Sequence, residues 1–278
     1  MRYGLKLAQR APIEVFRAVW RLADEEGFDH LWNMDHFASV SGDHSGDVFE
    51  AWSLLAAMAE ATSRVRIGCM VTGNTYRHPG VLAKAAVTVD HLSGGRLEFG
   101  LGAAWAEVEH SMLGLEFGTV RDRLERLEEA CQIIRSLWTA SRTTFDGRYY
   151  RLREAIAEPK PIQKPHPPIW IGGNGRRRTL RIVAEHADAW NATGRTAAEV
   201  ADLSAALDEH CAAVGRDPQA IRRTIQLPVA ERDDNVLSDV DDYAAVGVSD
   251  VILVLKADNA QADAERMAAL LPRLRTID

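Results

Sequence analysis

Short apolar runs alternate along the chain with longer segments in which apolar residues recur every three or four positions. Residues 3–7 form the first run. Residues 13–26 follow, with Val15, Val19, Leu22 and Ala23 at helical spacing. Gly27 marks where that helix should stop. The pattern then predicts strand 30–34 and helix 48–61, and strand 65–71 with helix 79–92, which has Pro79 in its first turn. Strand 97–101 precedes a long helix over 120–138, where Arg121 and Glu125 stand four apart. Residues 144–152 interrupt the rhythm and read as a hairpin turning at Asp146-Gly147. Five prolines between 159 and 168 dictate an extended connector. Strands at 169–171, 189–192, 224–228 and 250–255 then alternate with helices at 177–187, 197–214, 236–246 and 261–275.

Such a run of strand–helix units requires parallel strands joined by crossovers, and so an α/β fold. Eight units within 278 residues favour a single-domain (β/α)8 barrel over an open doubly wound sheet. No composition shift or flexible linker marks a second domain. No apolar run reaches the ~18 residues that span a bilayer, and the first residues lack a signal-peptide core. The three cysteines, Cys69, Cys131 and Cys211, are odd in number and widely spaced. They offer neither a disulfide framework nor a zinc site, which makes the cytoplasm the expected location. A net charge of -7 argues against a nucleic-acid partner.

In such a barrel the chemistry gathers at the C-terminal ends of the strands. Asp35-His36 follows the second strand, and a histidine there can relay protons near neutrality. The same loop holds Asp43, His44 and Asp47, but without HxH or HExxH spacing no metal is expected. After the third strand, Thr72, Gly73 and Asn74 can meet the edge of a heterocycle. After the fourth come Ala103, Ala104 and Trp105, small residues and a ring that leave room for a flat ligand, with Glu109 and His110 as acid/base candidates. After the fifth, Gly172, Gly173, Asn174 and Gly175 run into Arg176, Arg177 and Arg178 at a helix start, which reads as a phosphate site.

Several segments taken together resemble the bacterial luciferase-like family of flavin- and deazaflavin-dependent oxidoreductases. They are LWNMDHF (31–37), FEAWSLLAA (49–57), RIGCMVTGNTYRHP (66–79), VLAKAAVTVDHLSGGRLEFGLG (81–102), FDGRYY (145–150), PKP (159–161) and IWIGGNGRRRTLRIVAEHADAWN (169–191). Among its subgroups the chain looks most like the actinobacterial enzymes that use coenzyme F420. The resemblance implies a barrel with a ring cofactor at its mouth. Asp35 would contact the ring, and His36 would stand beside its reactive carbon. Met70-Val71 falls where this family often has a non-prolyl cis peptide against one ring face. Thr72 and Asn74 would lie around the ring, and Ala103, Ala104 and Trp105 would flank the cofactor tail. Gly172, Gly173, Asn174, Gly175 and Arg176 would take its phosphate.

Ala104 departs from the glycine that many relatives carry. Residues 106–109 lack the asparagine of the family's sugar-phosphate dehydrogenases, which argues against glucose 6-phosphate as substrate. The implied function is hydride transfer between coenzyme F420 and a small organic substrate by a homodimer, with no membrane partner. The alternatives are an FMN-dependent monooxygenase and a non-catalytic flavin- or deazaflavin-binding protein.

Overall fold

The structure is a computed structural model that describes residues 1–40 and 42–277. In chain order the elements are β1 (Arg2–Lys6), α1 (Ile13–Glu25), β2 (His30–Asn33), α2 (Ala51–Ala61), β3 (Arg66–Cys69), β4 (Thr72–Gly73), α3 (Pro79–Leu92), β5 (Leu97–Gly102), α4 (Glu107–Leu113), α5 (Val120–Thr139), β6 (Thr143–Asp146) and β7 (Arg151–Ala155). The second half adds β8 (Ile169–Gly172), α6 (Thr179–His186), β9 (Ala189–Thr193), α7 (Ala197–Val214), β10 (Arg222–Pro228), α8 (Asp233–Ala245), β11 (Asp250–Val254) and α9 (Ala260–Leu274). The main sheet runs β3-β2-β1-β11-β10-β9-β8-β5, and β5 pairs back onto β3. Every neighbour in that ring is parallel, so the sheet closes into the expected (β/α)8 barrel.

Local chemistry explains several boundaries. Thr119 and Asp122 cap α5 reciprocally, and Thr196 and Glu199 do the same for α7. Gly215 ends α7 in the left-handed region at φ 69°. Helix α2 starts at Ala51 rather than residue 48, because the Glu50 carboxylate accepts from the N–H groups of Trp52 and Ser53. The hairpin loop is wider than an Asp-Gly turn: Asp146 pairs with Arg151, and the backbone of Arg148, Tyr149 and Tyr150 donates to the Glu129 carboxylate of α5. The proline-rich connector, expected to be extended, is instead bent, with cis bonds before Pro159 and Pro165.

Inside the barrel Trp32 and Trp170 meet edge to face at 4.7 Å, and Trp32 Nε1 donates to His30 Nδ1 at 2.7 Å. These rings fit because small residues face them. A Cβ on Gly4 would stand 1.7 Å from His30 Nδ1, and one on Gly68 would stand 2.3 Å from the Trp32 ring. The larger apolar core lies between strands and helices and includes all three cysteines, which are free and buried. No described helix is long and apolar enough to cross a membrane.

Candidate functional site

The strand ends open on a cavity of about 650 Å³, a size suited to a small-molecule ligand. Its wall includes Asp35, His36, Met70, Val71, Ala103, Ala104, Trp105, Gly172, Gly173 and Gly175. Residues separated by as many as 140 positions in sequence are thus brought together as the barrel predicts. Thr72 and Asn74 flank the lining residue Gly73 but are themselves buried outside the lining. Asn74 Oδ1 and Thr72 Oγ1 have no hydrogen-bond partner among the described residues.

Strand β3 stops at Cys69, and pairing resumes at Thr72, with a non-prolyl cis peptide at Met70-Val71 between the two stretches. The Val71 side chain occupies space that glycines leave open. A Cβ on Gly102 would lie 2.6 Å from Val71 Cγ2, and one on Gly172 would lie 3.1 Å from Val71 Cγ1. The glycines at the ends of β5 and β8 therefore let Val71 present an apolar face to the cavity.

Opposite stands His36. Its Nδ1 lies 2.8 Å from Glu109 Oε2, and its ring meets Trp105 edge to face at 5.7 Å. Glu109 is fully buried on α4 and also accepts from the Tyr76 phenol at 2.6 Å and the Ala38 N–H at 3.0 Å. Burial pushes its carboxyl up, but the hydrogen bonds from His36, Tyr76 and Ala38 outweigh that and hold it down at about 2. An ionised carboxylate only accepts, so His36 Nδ1 carries a proton and donates it to Glu109. His110, the neighbouring candidate, is engaged at both ring nitrogens, by the Ala106 carbonyl at 2.8 Å and the Thr75 hydroxyl at 2.7 Å.

Asp35 is buried beneath the same rim. Arg77 grips it with two hydrogen bonds of 2.7 and 3.0 Å, and the Gly73 N–H adds a third at 3.0 Å. Burial pushes this carboxyl up against the pull of Arg77 and Gly73.

The arginine-rich loop differs from its sequence reading. Gly172, Gly173 and Gly175 line the cavity, but Asn174 turns back to the Thr193 carbonyl at 2.7 Å. Arg176 pairs with Asp202, Arg178 lies 3.6 Å from Glu125, and Arg181 meets Glu128 at 2.7 Å. None of these arginines faces the cavity, because acidic residues on α5 and α7 draw them outward.

Two buried cations in the lining were not anticipated. Lys6 ends β1 and donates to Gln226 Oε1, and Gln226 in turn donates to Asn191 Oδ1 at 2.7 Å. Burial pushes the Lys6 ammonium down to about 8. Arg123, on the first turn of α5, is also buried against the cavity. The position of Lys6 at a strand's C-terminal end was a signal available in the sequence.

A parallel barrel with a ligand-sized mouth at the strand C-termini and a carboxylate-anchored histidine on its rim has the layout of a barrel enzyme. The match to the luciferase-like monooxygenase family extends over residues 2–273, and the chain belongs to that family. It is 31% identical to an uncharacterized protein of Mycobacterium tuberculosis, over 98% of this chain and 99% of that protein. It is 33% identical to an F420-dependent glucose-6-phosphate dehydrogenase of Microbacterium testaceum, over 77% of this chain and 63% of that enzyme. Among solved structures, an F420-dependent secondary alcohol dehydrogenase in complex with an F420-acetone adduct superposes with a TM-score of 0.87. It covers 98% of each chain at 17% identity, a likeness of fold.

Proposed function

We propose that this protein transfers a hydride between coenzyme F420 and a small organic substrate. The observation that carries the reading is the His36–Glu109 pair facing the glycine-rich β8–α6 loop across one cavity. Relatives named as F420-dependent dehydrogenases support the choice of a deazaflavin.

The residues present fit such a group. Val71 offers apolar surface for a flat ring, and Gly172, Gly173 and Gly175 leave room for a tail. Asp35 and Met70 complete the ring's surroundings, Ala103, Ala104 and Trp105 flank the tail, and Thr72 and Asn74 support the loop beside Gly73. When bound, a deazaflavin supplies a ring carbon that accepts or releases a hydride. The protein's own part is to orient the reactants, exclude water and manage the accompanying proton. His36 Nε2 holds or delivers that proton. Glu109 acts through His36 as a positioning residue, fixing its tautomer. Arg77 holds Asp35 in place, and the Asp35 carboxylate in turn fixes the Gly73 backbone.

Titration of the purified protein with coenzyme F420 and, separately, FMN tests this reading, with tryptophan fluorescence as the signal. Tight binding of F420 and a preference for it over FMN are expected. The His36→Ala variant should then lose roughly 10²–10⁴-fold in turnover while its F420 affinity stays within a few-fold. A preference for FMN with oxygen consumption would move the protein to monooxygenase chemistry, and equal losses of binding and turnover in His36→Ala would remove the catalytic role of His36.

A further inference from the structure

Lys6 stands at the C-terminal end of β1 and lines the mouth cavity, yet it is only 8% exposed. An ammonium carries three donors, and Lys6 spends one on Gln226 Oε1. Gln226 is fixed in that pose by a relay behind it. Its amide nitrogen donates to Asn191 Oδ1 at 2.7 Å, the Asn191 amide nitrogen donates to the Thr224 hydroxyl at 2.8 Å, and that hydroxyl donates to the Trp190 carbonyl at 3.0 Å. The relay sets the orientation of both amides. It brings Lys6 a neutral oxygen and no negative charge. Lys6 forms no ion pair among the described residues. The Cys69 thiol of β3 acts on it through space, but burial keeps that thiol protonated. The Asp35 carboxylate is taken by Arg77. Burial draws the Lys6 ammonium down only to about 8, so it stays charged at neutral pH.

A buried ammonium whose partner is a neutral amide is costly until an anion joins it. Topology separates that anion from the ring and tail of a cofactor. In the ring of eight strands β1 lies four places from β8 in either direction. Lys6 therefore faces the glycine loop after β8 from across the barrel. Val71, packed against Gly102 and Gly172, leans on that far wall. The strand beside β1 is β2, and His36 follows its end. A molecule held by Lys6 thus shares its half of the mouth with His36. One ammonium balances one carboxylate, whereas a phosphate ester, with nearly two charges, would be only half compensated. We propose that Lys6 anchors the substrate, and that the substrate is a small organic acid whose carboxylate takes the donors that Gln226 leaves free. This deepens the proposed function by naming the substrate class, and it rests on that reading for the presence of a cofactor beside the substrate.

The test measures the binding of straight-chain carboxylic acids from acetate to octanoate, each against its primary amide, by titration calorimetry. The amide keeps the shape of the acid and loses the charge. Titrations are run on the protein alone and on the protein loaded with F420 or with FMN, for the wild type, Lys6→Met, Lys6→Gln and Lys6→Arg. The best acid should bind the wild type roughly 10- to 100-fold more tightly than its amide. Lys6→Met should reduce that ratio to within about threefold by weakening the acid alone, and Lys6→Arg should recover part of it. Lys6→Gln should behave like Lys6→Met, and it serves if Lys6→Met does not fold. The affinity for F420 should stay within a few-fold in all three variants. Absence of acid binding, or a ratio near one in the wild type, overturns the proposal, as does a ratio that survives in the neutral variants. Equal weakening of acid and amide marks a structural role and overturns it as well. A loss of F420 affinity in the neutral variants with the acids unaffected gives Lys6 to the cofactor, which also overturns it. If the acid preference follows Lys6 in a protein that does not bind F420, the organic-acid site stands and the F420 reading falls. If F420 binds tightly and the acids ignore Lys6, the F420 reading stands and this proposal falls.

Discussion

At the N-terminal end of the barrel, Glu98 and Asp250 are buried within a cluster of Arg2, Arg66 and Arg222. Asp250 lies 3.3 Å from Arg2 and 3.0 Å from Arg222. Glu98 lies 3.2 Å from Arg222, and it also pairs with Arg66. Burial pushes the Asp250 carboxyl up, but His30, Arg222 and Arg2 prevail and hold it at about 2. At the mouth the treatment is reversed. Lys6 and Arg123 are buried, yet neither forms an ion pair with a carboxylate among the described residues. The closed end answers its own charges. The open end leaves two buried cations without a carboxylate among the described residues, which is the pattern expected where a ligand completes the structure.

The comparison breaks most visibly at Glu98. Glu98→Ala would leave three arginines clustered around one remaining carboxylate, and removing one partner from a buried network costs about 3–5 kcal/mol. Urea denaturation should show a loss of that order, and a loss below about 1 kcal/mol would mean the closed end is not held by its ion pairs. At the mouth the sign changes. The Lys6 ammonium is held at about 8 in the folded chain, against 10.5 as its ordinary value. Between those two pH values the unfolded chain binds a proton that the folded chain does not, so wild-type stability should rise with pH across that window, by roughly 3 kcal/mol. Lys6→Met should lack the rise, and matching pH profiles for the two proteins would contradict a buried, unpaired ammonium. The smallest effect belongs to Ala104, which adopts φ 58°. A left-handed Cβ costs about 1–2 kcal/mol, and glycine returns part of that as backbone entropy. Ala104→Gly should therefore raise stability by about 0.5–1 kcal/mol, readable as a higher Tm. An unchanged or lower Tm would show that the Ala104 methyl is stabilised by its contacts.

Much of this architecture could be read from periodicity. Helices α3 and α7 fall on their expected residues, and all eight barrel strands lie where apolar runs placed them. Helix α4 could not be found that way. Its buried residues are Glu109 and His110, while Met112 and Leu113 are exposed, so its hydrophobic pattern is inverted. Glu109, expected from the sequence as an acid/base candidate, sits on this helix and anchors His36. Arg123 was hidden for a related reason: in sequence it is one more charge on the polar, Arg- and Glu-rich stretch that opens α5, and only the fold shows that its side chain turns inward. Arg176 differs in the opposite sense: its ion-pair partner Asp202 lies 26 residues away on α7, a contact that local sequence does not reveal.

The three cysteines of the core offer a consequence of another kind. Cys69, Cys131 and Cys211 belong to β3, α5 and α7, and each is at most 1% exposed. Burial pushes all three thiols up, Cys131 to about 12 and Cys69 well above its ordinary value. Because the thiolate is the reactive species, an alkylating reagent finds almost nothing to modify on the native chain. Each site becomes labelled only when its own segment opens. A timed alkylation followed by peptide mapping would thus give three built-in clocks, recording whether the first, middle and last thirds of the ring come apart together or in turn.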